Sequence, residues 1–180
     1  MQKKGGVLCL GFFDGMHRGH QALMQAGQKA AEKLSLPLCA HTFDRSPSPF
    51  KQELTGLEER VQLLKAYGAD EVHVTPFDDE IRCMSGDVFF EQVILKEIGA
   101  RYVICGHDHH FGYKGGWDAS ALENMCRANG IGFERVEEFC LDGQKVSSTA
   151  IRKALQDGDI PLAEKLLGRP VPAQWKQVKV

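Results

Sequence analysis

The sequence predicts an α/β fold: a Rossmann-like, doubly wound parallel sheet of about five strands, with helices on both faces. Three observations predict it. Short apolar, β-type runs alternate with helical patterns along the whole chain. The strand runs are too continuously apolar for a sheet with one wet face. The glycine-rich and histidine-rich segments follow strands directly, where ligands of such sheets bind, near the switch point of the strand order.

The elements come in order. Val7 to Leu10 reads as a buried strand and Gly19 to Leu34 as an alanine-rich helix. Leu38 to Phe43 is a second strand, and Ser46-Pro47-Ser48-Pro49 breaks it into a loop. Leu57 to Tyr67 is helical, with Leu57, Val61 and Leu64 as its apolar stripe, and Gly68 stands where a helix end favours glycine. Glu71 to Thr75 is the third strand, Gly86 to Ile98 a helix, and Arg101 to Cys105 the fourth strand. Leu122 to Asn129 is helical, Gly132 to Val136 strand-like, and Ser148 to Gln156 and Leu162 to Leu167 are the last helices. Without internal repeat or linker, residues 1–180 read as a single domain.

Composition bounds the function. Hydrophobic residues are 43% and charged residues 26%, which argues against disorder and against a membrane span. Only four apolar residues follow the Lys3-Lys4-Gly5-Gly6 start before Gly11, too few for an export signal. Six cysteines without a C-x-x-C pair, several within apolar runs, read as reduced, mostly buried thiols of a cytoplasmic protein. A net charge of -2 and the lack of a long basic run give no track for nucleic acid.

Three loops carry the chemistry. After the first strand, Gly11-Phe12-Phe13-Asp14-Gly15-Met16-His17-Arg18-Gly19-His20 runs into the long helix. Glycines let backbone approach a ligand, and a helix N-terminus offers free N–H groups to an anion. His17, Arg18 and His20 crowd a helix start, where positive charge is normally disfavoured, so a phosphate chain is the natural compensator. His17 and His20, three apart, face one point and suit stabilisation of charge on a transferred phosphorus group. A zinc site using His17, His20 and His107, His109 or His110 is an alternative, although no cysteine pair or H-E-x-x-H completes it.

The segment Ser147-Ser148-Thr149-Ala150-Ile151-Arg152 opens another helix, with Arg152 where a capping box begun at Thr149 would hold Glu. Its hydroxyls, amides and Arg152 would make a second anion site; the plain alternative is a capped surface helix with a solvated arginine. Gly106-His107-Asp108-His109-His110-Phe111-Gly112 follows the fourth strand. Asp108 could accept from a ribose and Phe111 could stack or simply pack, while Lys114-Gly115-Gly116 suggests a segment able to close over substrate.

Taken together, these motifs resemble the adenylyltransferase module of bacterial FAD synthetases, from about Val7 to Pro170 and including Leu166-Leu167-Gly168-Arg169-Pro170. H-x-G-H alone marks the wider nucleotidyltransferase superfamily. The S-S-T-x-I-R segment joined to G-x-D-x-x-F-G is more specific. The resemblance implies a Mg2+-dependent reaction of FMN with ATP that yields FAD and pyrophosphate without a covalent enzyme intermediate. His17, His20 and Arg152 would be catalytic. Gly11, Phe12, Phe13, Asp14, Gly15, Gly19, Gly106, Asp108, Phe111, Ser147, Ser148 and Thr149 would bind ATP. Thr42, Phe43, Arg45 and Pro47 would shape the flavin side. No protein ligand for the metal is identified. The expected state is a monomer or weak homo-oligomer, with ATP and FMN as its partners.

Three departures from that family's pattern stand out. Arg45, Ser46 and Ser48 replace the usual Pro, His and Arg of the loop after Phe43, and His109 replaces an aromatic. The family usually continues into a riboflavin kinase barrel, whereas this sequence stops at Val180, so no kinase activity is expected of it. Another phosphorylated acceptor, or nucleotide and flavin binding without turnover, remain the competing readings.

Overall fold

The computed structural model describes residues 5–48 and 52–177. Its centre is a five-stranded, all-parallel sheet of β1 (Val7–Leu10), β2 (Leu38–Phe43), β3 (Glu71–Thr75), β4 (Tyr102–Gly106) and β7 (Gly132–Val136). The order is β3-β2-β1-β4-β7, so the chain reverses direction across the sheet between β1 and β4. Two short antiparallel ribbons complete the strands: β5 (His110–Phe111) with β6 (Trp117–Asp118), and β8 (Cys140–Leu141) with β9 (Gln144–Lys145). The sequence periodicity gave no hint of these two-residue strands.

Alternation along the strands divides the core. Val7, Cys9, Leu38, Ala40 and Ile104 face one layer, which holds α1 (Arg18–Leu34) and α2 (Leu57–Ala66). Leu8, Leu10, Cys39, Val103 and Cys105 face the opposite layer. That layer is built from α4 (Gly86–Phe89), the nine-residue π-helix Phe90–Ile98 that continues it, and α5 (Ala119–Ala128). Both faces of the central strands β1 and β4 are covered by apolar layers, which is why these read as near-continuous hydrophobic runs, whereas the edge strands β3 and β7 carry charged residues and are only partly buried. A third cluster joins α6 (Ser148–Gln156) and α7 (Ile160–Leu167) through Ile151, Ala154, Leu166 and Leu167.

Capping explains where the helix boundaries differ from expectation. Asp118 accepts the Ala121 N–H at 2.8 Å, so α5 begins three residues before Leu122. Asp159 accepts the Leu162 N–H at 3.0 Å and Pro161 occupies the first turn, so α7 begins at Ile160. Asp78 caps an unanticipated single turn, α3 (Asp79–Cys83). Helix α2 corrects the predicted stripe: its buried residues are Arg60 and Leu64, with Leu63 and Tyr67 packed against the core, rather than Leu57 and Val61. Pro49 of the predicted loop lies outside the described residues. Among the described residues no helix is long and apolar enough to cross a membrane.

Candidate active site

The carboxyl ends of β1 and β4 adjoin, and the loops leaving them meet the start of α6 around a cleft of about 370 Å3. The first loop is held by what it buries. Phe13 (φ 60°) and Met16 (φ 46°) adopt the left-handed backbone region that bulky residues avoid, and both side chains are fully buried. Core packing offsets that strain. A short 3-10 turn, Asp14–Met16, then leads to His17, the N-cap of α1.

His20 N–H donates to His17 Nδ1 at 3.3 Å, so that nitrogen is unprotonated and the other, Nε2, carries the hydrogen. The two imidazoles stack with centroids 3.6 Å apart, and a side chain at Gly19 would meet the His17 ring at 3.1 Å. Burial dominates their protonation. It lowers His17 to about 4, with Arg152 adding to the effect and Asp108 opposing it. Burial and then the His17 ring push His20 well below the usual imidazole value. Both rings are therefore neutral near pH 7, and they offer N–H dipoles rather than charge.

That neutrality corrects one premise of the sequence argument. The histidines are not uncompensated cations. Arg18 leaves the cleft altogether: its Nε donates at 2.9 Å to the carbonyl of Lys165, in the last turn of α7, where a cation is favoured. Arg152 does line the cleft, but Asp14 already neutralises it, Arg152 Nη1 donating to Asp14 Oδ2 at 2.8 Å and to the Gln52 carbonyl at 3.2 Å.

Asp14 is a buried knot. Its Oδ1 accepts from the Leu54 N–H at 2.8 Å, the Thr55 N–H at 3.0 Å and the Thr55 hydroxyl at 3.3 Å. The Ser148 hydroxyl donates to the Asp14 carbonyl at 2.7 Å, which ties the start of α6 to the first loop. The N-cap of α6 is Ser147, whose Oγ accepts the Ala150 N–H at 3.1 Å, so the capping box considered at Thr149 does not form.

Of the residues expected to bind nucleotide, Phe12, Phe13, Asp14, Gly19, Gly106, Asp108, Ser147, Ser148 and Thr149 line this cleft together with His17, His20 and Arg152. Three fall elsewhere. Gly15 lines neither cavity; its N–H donates to the Thr55 hydroxyl and its carbonyl accepts from Arg169. Gly11 and Phe111 line a second cavity, of about 450 Å3. Phe111 is buried there because its ring packs toward Phe89, 6.1 Å away, on the apolar face of the sheet.

Phe43, Phe77 and Phe89 join Phe111 in that second cavity. His41 and His109 also line it, both lowered chiefly by burial, to about 3 and about 4. Phe12 and Pro47 line both cavities, so they form the partition between them. Among the expected flavin-side residues, Phe43 and Pro47 are in place. Thr42 is fully buried and donates to the Phe12 carbonyl, and Arg45 points outward, paired with Asp44. Neither lines a cavity, because Thr42 belongs to the β2 interior and Arg45 has a carboxylate beside it.

Sequence reasoning missed an ion network at the rim. Lys145 Nζ lies 2.9 Å from Asp108 Oδ2 and 2.8 Å from Glu138 Oε1, and His107 Nε2 is 3.3 Å from the same glutamate. The contacts with Glu138 and then Asp108 push Lys145 up to about 12. Burial opposes ionisation of Asp108, but the Lys145 contact holds it below the ordinary value. Lys145 stands two residues before Ser147, the one signal that could have pointed to it; Glu138, in an acidic pair, gave none.

The histidines do not assemble the zinc alternative. Among the described residues, the one group of three possible ligands with atoms within 4.8 Å of one another is Cys39, Glu71 and His73, which lines neither cavity.

Comparison with known proteins identifies the family. Residues 1–150 match the family model of FAD synthetase. A bifunctional riboflavin kinase/FMN adenylyltransferase of Haemophilus influenzae is 34% identical over 173 residues, covering 93% of this chain and 56% of the relative. Its namesake in Escherichia coli (strain K12) is 33% identical over 174 residues, with the same coverage. A solved structure from Streptococcus pneumoniae, described as a macrolide-efflux protein, superposes with a TM-score of 0.85 at 32% identity. It is matched over 95% of this chain and 57% of its own. The chain thus spans somewhat more than half the length of the relatives it matches.

Proposed function

The chain belongs to the FAD synthetase family, and from that premise we propose that it transfers the adenylyl group of ATP to FMN, giving FAD and pyrophosphate. One observation carries the reading. The cleft that gathers His17, His20, Ser148 and Arg152 shares a wall, Phe12 and Pro47, with a second cavity lined by Phe43, Phe77, Phe89 and Phe111. A triphosphate in the first and a flavin in the second would bring the FMN phosphate to the α-phosphorus across that wall.

In this mechanism an oxygen of the FMN phosphate forms a bond to the α-phosphorus as the bond to the β-phosphate bridging oxygen breaks, and pyrophosphate leaves in line. His17 and His20, neutral, donate N–H dipoles to the non-bridging α-oxygens, whose charge grows in the transition state. Arg152, the amides at the start of α6 and the Thr149 hydroxyl hold the outgoing pyrophosphate. Asp108 lies on the nucleotide side. Phe43, Pro47 and Phe111 face the flavin, while Thr42 and Gly15 act by holding the loops. We read residues 1–180 as one transferase unit.

A magnesium ion would enter this cleft together with the nucleotide. Both oxygens of Asp14 are occupied and Asp108 and Glu138 already hold Lys145, and among the described residues no group of three possible ligands within 4.8 Å of one another lines the cleft. Phosphate oxygens and water would supply its ligands, and the chemistry it would contribute is neutralisation of the phosphate charge.

The test is formation of FAD and pyrophosphate from FMN, ATP and Mg2+, set beside glycerol phosphate with CTP and phosphopantetheine with ATP. Preference for FMN with ATP is expected. Folded protein that binds FMN without releasing pyrophosphate would instead mark a flavin-binding protein.

A further inference from the structure

We propose that Arg60 is a positioning residue that holds the partition between the two cavities in the alignment the transfer requires. The inference rests on the proposed adenylyl transfer and extends it to a side chain that touches neither substrate.

Arg60 is the largest fully buried side chain among the described residues. A guanidinium taken out of water is costly unless its donors are met; Arg60 Nε has no hydrogen-bond partner, so the contacts of its two Nη atoms indicate what the burial achieves. Nη1 donates to Glu53 Oε2 at 3.2 Å and to the Thr55 carbonyl at 2.9 Å. Nη2 donates to the Phe43 carbonyl at 2.8 Å, and Arg60 Cζ lies over the Phe12 ring, 4.2 Å from its centroid. Glu53 in turn accepts the Ser46 N–H.

These partners share a location. Phe12 is half of the partition, Phe43 lines the aromatic cavity, and Ser46 lines the nucleotide cleft. Thr55 is bound to Asp14, the partner of Arg152. One side chain thus joins the loop after β1, the end of β2 and the 52–55 segment. A helix needs no such residue to pack: a leucine at this place in α2 would bury equally well, as Leu64 does one turn later. The planar fork suits the task because its central carbon sits over the Phe12 ring while Nη1 and Nη2 donate in two directions; a lysine ammonium supplies neither the flat face nor the fork.

In-line transfer needs the attacking oxygen about 3–3.5 Å from phosphorus, and a displacement near 1 Å costs on the order of 100-fold in rate. Releasing the ring and the Phe43–Ser46 backbone would therefore lower turnover more than it weakens either substrate alone.

The experiment compares wild type with Arg60→Lys, measuring thermal midpoint, kcat, and KM for ATP and FMN separately. Expected is a folded variant whose kcat falls about 10- to 100-fold while KM for ATP changes less than about threefold. Should Arg60→Lys fail to fold, Glu53→Gln, which leaves Arg60 in place without its charge partner, carries the test through the same kcat loss. A lowered thermal midpoint with normal kcat in the folded variant overturns the positioning role alone. Wild-type protein that makes no FAD overturns the functional reading, and this inference with it.

Discussion

Replacing Asp14 by Ala tests the knot at the base of the cleft. The carboxylate is buried and accepts two backbone N–H groups, a hydroxyl and Arg152. Removing it leaves Arg152, whose side chain is only 18% exposed, without its counter-charge. Breaking a buried pair from one side costs roughly 3–5 kcal/mol, and an orphaned buried amide costs about 1–3 kcal/mol. The losses share one carboxylate and do not add, so about 3–5 kcal/mol is the expected total. For a chain of this size each kcal/mol moves the thermal midpoint by roughly 2–4 °C, so a drop of about 6–20 °C is expected. Asp14→Asn keeps an acceptor for the Leu54 and Thr55 amides and removes only the charge, so it should lose less. The assay is ligand-free thermal and urea unfolding of both variants, with Arg152→Met and the double variant completing a cycle. A drop under about 2 °C for Asp14→Ala, or additive losses across the cycle, would refute the argument that this pair organises the loops.

Other outcomes follow from the same geometry. His17→Asn retains a side-chain cap for α1 but loses the ring donor, so kcat should fall about 100-fold or more with a small change in thermal midpoint. His20→Ala should lose turnover on the same scale, and near-normal kcat in both variants would remove the proposed roles. Acid should destabilise the protein through its buried imidazoles. The folded values, about 4 for His17 and His109 and about 3 for His41, lie below the ordinary 6.5, and burial pushes His20 well below it too, so the unfolded chain binds more protons. Stability is therefore full above pH 6.5 and declines as pH falls from there toward 4, which urea midpoints across that range will show; a flat profile would contradict it. Lys145→Met should change stability by at most about 1 kcal/mol, since the network is partly exposed. It should raise KM for ATP roughly tenfold, because Asp108 and Glu138 would then face the phosphates unneutralised.

Sequence alone determined the layers of the fold. Five strands, their parallel class and the helices between them are written in local apolar periodicity, which depends only on neighbours along the chain. It also placed His17, His20, Asp108 and the Ser147–Arg152 segment in loops after strands, and chain reversal between β1 and β4 brings those loops to one cleft. Local rules could not decide how charge is neutralised. Whether Arg152 awaits an anion or already has one depends on Asp14, and Arg18 finds its partner at the far end of α7; these partners lie more than a hundred residues away along the chain. For the same reason Arg60, in a run of charged residues that looks solvated, could not be recognised as buried. Nor could Phe111 and Gly11 be separated from the cleft of His17 and Arg152 before Phe12 and Pro47 were seen to divide the space in two. Secondary structure is a property of short windows of chain, whereas burial and ion pairing belong to surfaces that exist only once those windows have packed.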